Sequence, residues 1–243
     1  MSVKRAIYLP PFDELSDPGV LAELAARAEA AGWDGFFLWD HIFYRPPTRM
    51  VSDSWICLAA MAVATERIRL GPLITPLARR RAQKVARETV TLDRLSGGRL
   101  TLGIGLGNDY SGEFSKFGEE PDAKERGRLL DEGLELLGRL WSGEFEPVPV
   151  QRPRIPVWVA ATWPNRKPLR RAVKWDGLFP DKLEGPDDLA ELREIVAERR
   201  DPDAGPFDLV VANPPGEEIG PWERAGATWH LTSLGPEAGR ARV

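Results

Sequence analysis

Only one histidine of the chain stands at a position that is typical of a catalytic residue. His41 follows Asp40 at the end of a short apolar stretch, and the chain has one other histidine. The residues past the remaining apolar stretches include no carboxylate pair of the glycosidase kind and no G-x-S-x-G elbow of a serine hydrolase. Two distant histidines and a single cysteine, Cys57, cannot build a metal cage. A site this poor in acids and bases indicates that a bound cofactor supplies the difficult chemistry.

Three glycines suggest where such a cofactor would lie. Gly103, Gly105 and Gly107 alternate along an apolar stretch, which leaves one face of a strand without side chains. A flat ring or a phosphate can then approach the backbone. Glycines also suit a tapering barrel, and both interpretations stay open at this point. Pro72, within "GPLIT", removes a ladder hydrogen bond and predicts a bulge.

The elements that must position these residues alternate between strand and helix. Apolar runs predict eight strands, and apolar residues at helical spacing predict a helix after each of the first seven. The first helix shows the pattern clearly, since Asp17 suits its N-cap and Gly32 suits the left-handed residue that ends it. A long amphipathic helix is predicted from about 123 to 141.

This strict alternation predicts a parallel sheet with right-handed crossovers. Eight units in 243 residues fit an α/β protein of the (β/α)8 TIM-barrel type, formed as one domain by residues 1–243. Active sites of such barrels lie at the carboxyl ends of the strands. A doubly wound open sheet is the alternative, although the first strand-to-helix loop lacks the glycine fingerprint of that fold. The chain stops soon after the eighth strand, so we expect most of a last covering helix to be missing.

Composition and charge exclude several classes of function. A formal net charge of -4 argues against nucleic acid or an anionic membrane as the main partner. The N-terminal sequence lacks the apolar run of a signal peptide, and no segment approaches a membrane span, so we expect a cytoplasmic protein. Apolar outer faces, with one barrel end uncovered, predict a homodimer.

Four stretches, taken in order, resemble successive signatures of the luciferase-like monooxygenase superfamily. They are "GWDGFFLWDH", "ATERIRLGPLIT", "ARETVTLDRLSGGRLTLGIGLG" and "EFSKFG". The resemblance covers roughly residues 5 to 235 and is strongest from Gly32 to Gly118. Its members are TIM-barrel oxidoreductases that use FMN or the deazaflavin coenzyme F420, and Asp-His after the second strand resembles the F420 branch.

The resemblance implies hydride transfer between coenzyme F420 and a small organic substrate. His41 would handle the proton, and Asp40 would bind cofactor hydroxyls or orient the imidazole. A non-prolyl cis peptide is expected behind the ring, at Pro72–Leu73 or Leu73–Ile74. FMN-dependent monooxygenation is the close alternative, and a shortened barrel that binds a flavin without turnover is an alternative of another class.

The other site residues follow from the same resemblance or from their places past strand ends. The implied cofactor-binding residues are Asp40, Leu73, Ile74, Thr75, Gly105, Leu106, Gly107, Asn108, Ala161, Thr162 and Asn165, the last three near the phosphate. Trp39 and Trp163 would wall an apolar substrate pocket. The substrate itself is not predicted, because the loops around 43–51 and 109–122 carry no readable code.

The chain departs from the family pattern at two points. Some relatives, notably sugar-phosphate dehydrogenases, carry an acidic general acid where Asn108 stands. An amide cannot donate a titratable proton, so that activity is not expected unless Asp109 or Glu113 substitutes. The family also continues beyond the eighth strand, and we expect the barrel base or the cofactor pocket to be less protected here.

The remaining candidates have a structural alternative. Arg79, Arg80 and Arg81 follow the third strand and would attract a cofactor phosphate or a glutamyl tail, unless they are ordinary solvated arginines. His230 lies inside the last predicted strand, where we expect it to pack in the core. Three tryptophans are expected to pack between helices and barrel: Trp33, Trp141 and Trp175.

Overall fold

Parallel pairing joins the strands of the computed structural model, which describes residues 2–240 and 243, into one curled sheet. In this part of the chain there are nine strands: β1 (Lys4–Leu9), β2 (Gly35–Leu38), β3 (Arg69–Pro72), β4 (Thr75–Pro76), β5 (Leu102–Gly105), β6 (Val157–Thr162), β7 (Gly177–Asp181), β8 (Asp208–Asn213) and β9 (Trp229–Ser233). Their spatial order is β3-β2-β1-β9-β8-β7-β6-β5-β4.

The two ends of this order belong to one interrupted strand. β3 pairs with β2, and β4 pairs with β5. A parallel bridge between Leu70 of β3 and Leu100, just before β5, brings the two edges together. Counting β3 and β4 as one strand gives the eight predicted strands, so the TIM-barrel prediction is confirmed and the open-sheet alternative is wrong.

Helices cover the outside of the barrel. They are α1 (Pro18–Ala30), α2 (Ser54–Ala64), α3 (Ala82–Leu95), α4 (Ala123–Arg139), α5 (Leu169–Ala172), α6 (Pro186–Arg199) and α7 (Ile219–Ala225). The predicted cap of α1 is confirmed, since the Asp17 carboxylate accepts a hydrogen bond from the Gly19 amide at 2.7 Å. The residues described after β9 include no α-helix. None of the helices in the described residues has the length and apolar character that a membrane span requires.

A bulge separates β3 from β4, and its Leu73–Ile74 peptide bond is cis. Gly103 on the neighbouring strand makes room for it. A Cβ at Gly103 would lie 2.5 Å from the Pro72 carbonyl oxygen and 2.2 Å from a Leu73 methyl. For Gly103, therefore, packing within the barrel explains the glycine, whereas Gly105 and Gly107 line the cavity described below.

Three aromatic rings fill the barrel lumen below the site. Trp158 lies 5.1 Å from Phe37 and 5.4 Å from Trp229, measured between ring centroids, and all three are buried. Above them Tyr8 and Phe179 meet edge to face at 5.6 Å. The sequence pattern alone does not show that these rings fill the lumen. They close the barrel from below, so the open space lies at the carboxyl ends of the strands.

A second apolar layer lies between barrel and helices, and the three tryptophans expected there do pack against it. One polar side chain anchors this layer. The buried Arg99 guanidinium donates to the carbonyl oxygens of Ala62, Thr65 and Ile68 at 2.8 to 3.0 Å, in the last turn of α2 and just after it. The "LSGGR" stretch thus has a structural function, because Arg99 supplies donors to carbonyls that the helix end leaves unpaired.

Candidate active site

A cavity of about 640 Å³ opens at the carboxyl ends of the strands. This volume is within the range of small-molecule and cofactor sites. The predicted site residues that line it are Trp39, Asp40, His41, Leu73, Ile74, Gly105, Leu106, Gly107, Asn108, Ala161, Thr162 and Asn165. The fold therefore brings together residues from the ends of β2, β5, β6 and the bulge.

Two predicted residues are not part of this lining. Thr75 is fully buried, and its hydroxyl donates to Asp40 Oδ2 at 2.7 Å. Trp163 packs against the apolar layer between barrel and helices. Thr75 thus supports a cavity residue from behind. The expectation that these two side chains form cavity walls has to be corrected.

The Asp40 carboxylate is occupied by neighbours other than His41. It accepts hydrogen bonds from Thr75, from Trp55 Nε1 at 3.2 Å and from Arg80 Nη2 at 3.0 and 3.1 Å. Only 1% of its side chain is exposed. Among the described residues it makes no hydrogen bond to the imidazole. The expectation that Asp40 orients His41 is therefore wrong. Its carboxylate joins β4, α2 and the segment before α3, and its binding of cofactor hydroxyls stays a prediction.

The arginine cluster likewise points inward. Arg79 donates to Glu113 Oε1 at 2.8 Å and to the Asp40 carbonyl oxygen at 3.1 Å, and 3% of its side chain is exposed. Arg80 is committed to the Asp40 carboxylate. The prediction that these two attract a phosphate is wrong, because buried carboxylates already pair with them. Arg81 is exposed at the start of α3.

Glu113 is the partner of the site histidine. His41 Nδ1 lies 2.6 Å from Glu113 Oε2, while Oε1 accepts from the Ile42 amide and from Arg79, both at 2.8 Å. Burial alone would raise the pKa of the Glu113 carboxyl, but the hydrogen bond and charge of His41, the Ile42 amide and the charge of Arg79 together lower it. The carboxylate is therefore ionised in the folded protein near neutral pH.

Aromatic rings surround the imidazole on its other sides. The centroids of Phe12, Trp39 and Tyr44 lie 5.8, 5.8 and 5.2 Å from that of His41. About a fifth of the His41 side chain is exposed, 21% against 3% for Glu113. The histidine is thus held between a carboxylate and an aromatic wall, with part of its ring open to the cavity.

The sequence matches a known protein family over most of its length. The family described as luciferase-like monooxygenase matches residues 10–215. The chain belongs to this family. Among the sequence relatives of this luciferase-like chain, the F420-dependent glucose-6-phosphate dehydrogenase of Tsukamurella paurometabola is 35% identical over 138 residues, 53% of this chain and 39% of that protein.

A second relative comes from the flavin branch. The oxygenase component of the flavin-dependent trigonelline monooxygenase of Acinetobacter baylyi is 28% identical over 165 residues, 60% of this chain and 43% of that protein. The chain spans about two fifths of the length of these two relatives. An F420-dependent secondary alcohol dehydrogenase, solved with an F420–acetone adduct, superposes with a TM-score of 0.79 over 98% of this chain and 95% of that one, at 17% identity. This last likeness shows the fold.

The luciferase-like cavity has a second, more polar end. Arg171 and Lys182 line it together with Asn165, and Arg171 also pairs with Asp131, at 2.9 Å from Nη2. These residues come from the ends of β6 and β7 and from α5. The predicted phosphate end thus has two cations that were not among the predicted site residues: Lys182, directly after β7, and Arg171 in α5.

Asn213 also lines the cavity and has a fixed orientation. Its Oδ1 accepts from Trp222 Nε1 at 3.0 Å and from His230 Nε2 at 3.1 Å. An indole N–H can only donate, so the amide oxygen must face Trp222. His230 is 3% exposed, and burial lowers its pKa against the opposing charge of Glu217, so this histidine is neutral. Its expected place in the core agrees with the structure.

Tyr8 ties the cavity floor to the bulge. Its hydroxyl donates to the Leu73 carbonyl oxygen at 2.9 Å, next to the cis peptide. Burial, with a further contribution from the Asp181 charge, raises the pKa of the Tyr8 phenol, which stays a donor. Trp39 Nε1 is buried and has no acceptor in the described part of the chain. Trp39 therefore has a buried, unused hydrogen-bond donor at the cavity wall.

Proposed function

We propose that this chain carries the F420-binding barrel of an oxidoreductase that transfers a hydride between coenzyme F420 and a small organic substrate. His41 is the acid–base residue of the proposal. The observation that carries it is the position of His41, whose Nδ1 is taken by Glu113 while part of the ring lines the cavity beside the bulge. The relatives named F420-dependent support the choice of cofactor.

Three observations indicate that a flat ring fits the cavity. Leu73, Ile74 and Gly105 line it, and a Cβ at Gly105 would lie 3.1 Å from both the Ala160 Cβ and an Ile74 methyl. Aromatic side chains also line it, among them Tyr8, Trp39 and Tyr44. The buried Trp39 N–H lacks a partner among the described residues. Ile74, Gly105 and Asn108 would hold the ring, and Asn165 with the cations near it would hold the phosphate.

When bound, coenzyme F420 supplies a hydride acceptor or donor. The chain's own residues supply the proton handling and the shape of the site. In oxidation of an alcohol, His41 Nε2 would take the hydroxyl proton, and the carbon that bears this hydroxyl would become a carbonyl once its hydride passes to the cofactor. In the reverse direction His41 returns that proton to the carbonyl oxygen. Tyr8 holds the bulge against the floor of the cavity throughout.

Glucose 6-phosphate is not the substrate that we propose, although a relative is named for it. Asn108 Oδ1 accepts from the Tyr110 amide at 3.1 Å within its own loop. Asp109 accepts from the Phe114 amide at 2.8 Å, and Glu113 is bonded to His41. None of the three residues considered for the additional acid is available for that function. A small alcohol or carbonyl compound needs only His41.

The homodimer stays a proposal as well. Ile56 and Val63 lie on one face of α2 and are 64% and 73% exposed. A second copy of the chain would cover them, which favours association. Light scattering at micromolar concentration should show a dimer for the natural sequence and a monomer for Val63→Lys. A monomeric natural protein would contradict the proposal.

Equilibrium binding tests the cofactor. The purified protein is titrated with coenzyme F420 and with FMN, each followed by absorbance and fluorescence. We expect F420 to bind more tightly, and Gly105→Ala to weaken that binding because the new methyl group would crowd Ala160 and Ile74, two residues that line the cavity. Gly138→Ala on α4 is the matched control, since its Cβ meets nothing within 4 Å. Preference for FMN would move the chain to the flavin branch, and binding of neither would contradict the proposal.

A further inference from the structure

We propose that Glu113 fixes the tautomer of His41, so that the proton of the neutral ring stays on Nδ1 and the lone pair of Nε2 is left for the cavity. Glu113 is a positioning residue in this proposal, since it acts through His41. The tautomer follows from the contacts alone. Its consequence for turnover rests on the function proposed above.

The first step is that the Glu113 carboxylate has a fixed orientation toward His41. Its Oε1 accepts from the Ile42 amide and from Arg79 Nη1, both at 2.8 Å, and 3% of its side chain is exposed. Arg79 is itself held by the Asp40 carbonyl oxygen at 3.1 Å. Because two donors fix the position of Oε1, the position of Oε2 is fixed as well, at 2.6 Å from His41 Nδ1.

The second step concerns hydrogens. An ionised carboxylate has only acceptor sites, and the positive charge of Arg79 and the Ile42 amide favour the ionised form. A short contact between Oε2 and Nδ1 then requires the hydrogen to lie on Nδ1. In the neutral imidazole the other nitrogen, Nε2, is therefore an acceptor. A base that takes a proton from a substrate hydroxyl needs such a lone pair.

The third step excludes the alternative partner. Asp40 precedes His41 in the chain and was the expected orienting residue, but its carboxylate is occupied by Thr75, Trp55 and Arg80. The other groups packed around the ring are aromatic: Phe12, Trp39 and Tyr44. Among the described residues Glu113 is thus the group that sets the proton position on His41.

Glu113→Gln makes a specific prediction because glutamine has two different ends. The Ile42 amide and Arg79 both donate, so the glutamine carbonyl oxygen must take the place of Oε1. The NH2 group then takes the place of Oε2 and donates to His41 Nδ1. We therefore expect the substitution to move the ring proton from Nδ1 to Nε2.

Long-range ¹H–¹⁵N NMR of the cofactor-free, ¹⁵N-labelled protein measures this directly, because a protonated ring nitrogen resonates far from an unprotonated one. The chain has only two histidines, and loss of signals in His41→Gln assigns them. His230 is an internal reference for the opposite state, since Nε2 must donate to the Asn213 oxygen that Trp222 fixes. For the neutral rings we expect His41 protonated on Nδ1 and His230 on Nε2.

Asp109→Asn is the matched control in the same loop. Asp109 accepts from the backbone amides of Phe114 and Ser115 and does not touch His41, so the His41 tautomer should stay unchanged. In Glu113→Gln both histidines should be protonated on Nε2. Circular dichroism of both variants confirms that they fold.

Three outcomes overturn the proposal: an Nε2-protonated His41 in the natural sequence, an unchanged tautomer in Glu113→Gln, or the same tautomer change in Asp109→Asn. A protein that does not bind F420 but shows the expected tautomers would overturn the proposed function and leave this inference intact. Where F420-linked turnover is found, Glu113→Gln should lower kcat at least tenfold while the F420 dissociation constant stays within about twofold. If kcat falls and the F420 dissociation constant rises by similar factors, the role of Glu113 is merely structural.

Discussion

Arg79 and Glu113 form an ion pair that is almost wholly removed from water. Their side chains are each 3% exposed, and Nη1 lies 2.8 Å from Oε1. The same guanidinium donates to the Asp40 carbonyl oxygen. One arginine therefore joins the chain after β2, the chain after β4 and the loop after β5 at the edge of the cavity. This places His41 by contacts between residues far apart in the sequence.

Removal of Arg79 should destabilise the protein strongly. Arg79→Met leaves the Glu113 carboxylate buried without the charge of this guanidinium, and breaking a buried pair in this way costs about 3–5 kcal/mol. Urea unfolding followed by tryptophan fluorescence gives the change in the free energy of unfolding. The exposed neighbour Arg81 provides the control, and Arg81→Met should change it by less than about 0.5 kcal/mol. Equal effects of the two substitutions would show that the pair does not hold the loops.

Glu113 should also make stability depend on pH in the acid range. Its pKa is lowered in the folded protein below the ordinary 4.5, so at pH values between the two the unfolded chain binds more protons. Its contribution is then complete above pH 4.5 and is lost as the pH falls through the folded pKa. Unfolding free energies measured from neutral to acid pH should fall less steeply in Glu113→Gln than in the natural sequence. Parallel curves would mean that the carboxyl group has an ordinary pKa.

Most of the fold could be predicted from the sequence because local signals determine it. The helix starting after Asp17 has its cap, its apolar spacing and its terminal glycine within a short stretch, and the structure places it from Pro18 to Ala30. The interruption of the third strand was signalled by Pro72. What could not be predicted is the lumen packing of Trp158 and Trp229, because alternation along a strand buried on both faces does not show which residues point inward.

The sequence predicted which residues meet at the site, but it did not predict the contacts among them. Residues past strand ends meet because parallel strands end at one face of the barrel, and this brought His41 and Asn108 to the cavity. The partner of His41 is 72 residues away, in a loop with no periodic pattern. Sequence proximity favoured Asp40 instead. Because Glu113 pairs with Arg79 and Asp40 pairs with Arg80, these two arginines have their counter-charges and are not free to bind a phosphate.

The signature arginine of "LSGGR" should matter for stability more than for chemistry. Arg99 donates to Ser96 and Thr65 as well as to carbonyls at and after the end of α2, and it lies outside the cavity. Arg99→Lys keeps the charge but loses several of these hydrogen bonds at once, for which we expect a loss of about 3 kcal/mol. Thermal and urea unfolding measure it. Arg139→Lys, at an exposed ion pair with Glu144, should cost less than about 1 kcal/mol. A small effect at Arg99 would contradict its anchoring function.

His41→Ala should separate binding from turnover. The substitution removes the imidazole but leaves the bulge, Gly105 and the polar end of the cavity, so coenzyme F420 should bind with nearly unchanged affinity. Turnover should fall at least tenfold, because the substrate proton then has no acceptor at hydrogen-bond distance. Steady-state rates with F420 and a panel of small alcohols measure kcat, and fluorescence titration measures binding. Glu113 is left without its histidine in this variant, yet Arg79 and the Ile42 amide still hold the carboxylate, so the loop should stay in place. A variant that binds F420 and turns over at the natural rate would remove His41 from the proposed mechanism, and the proton acceptor would then have to be sought among the other groups that line the cavity.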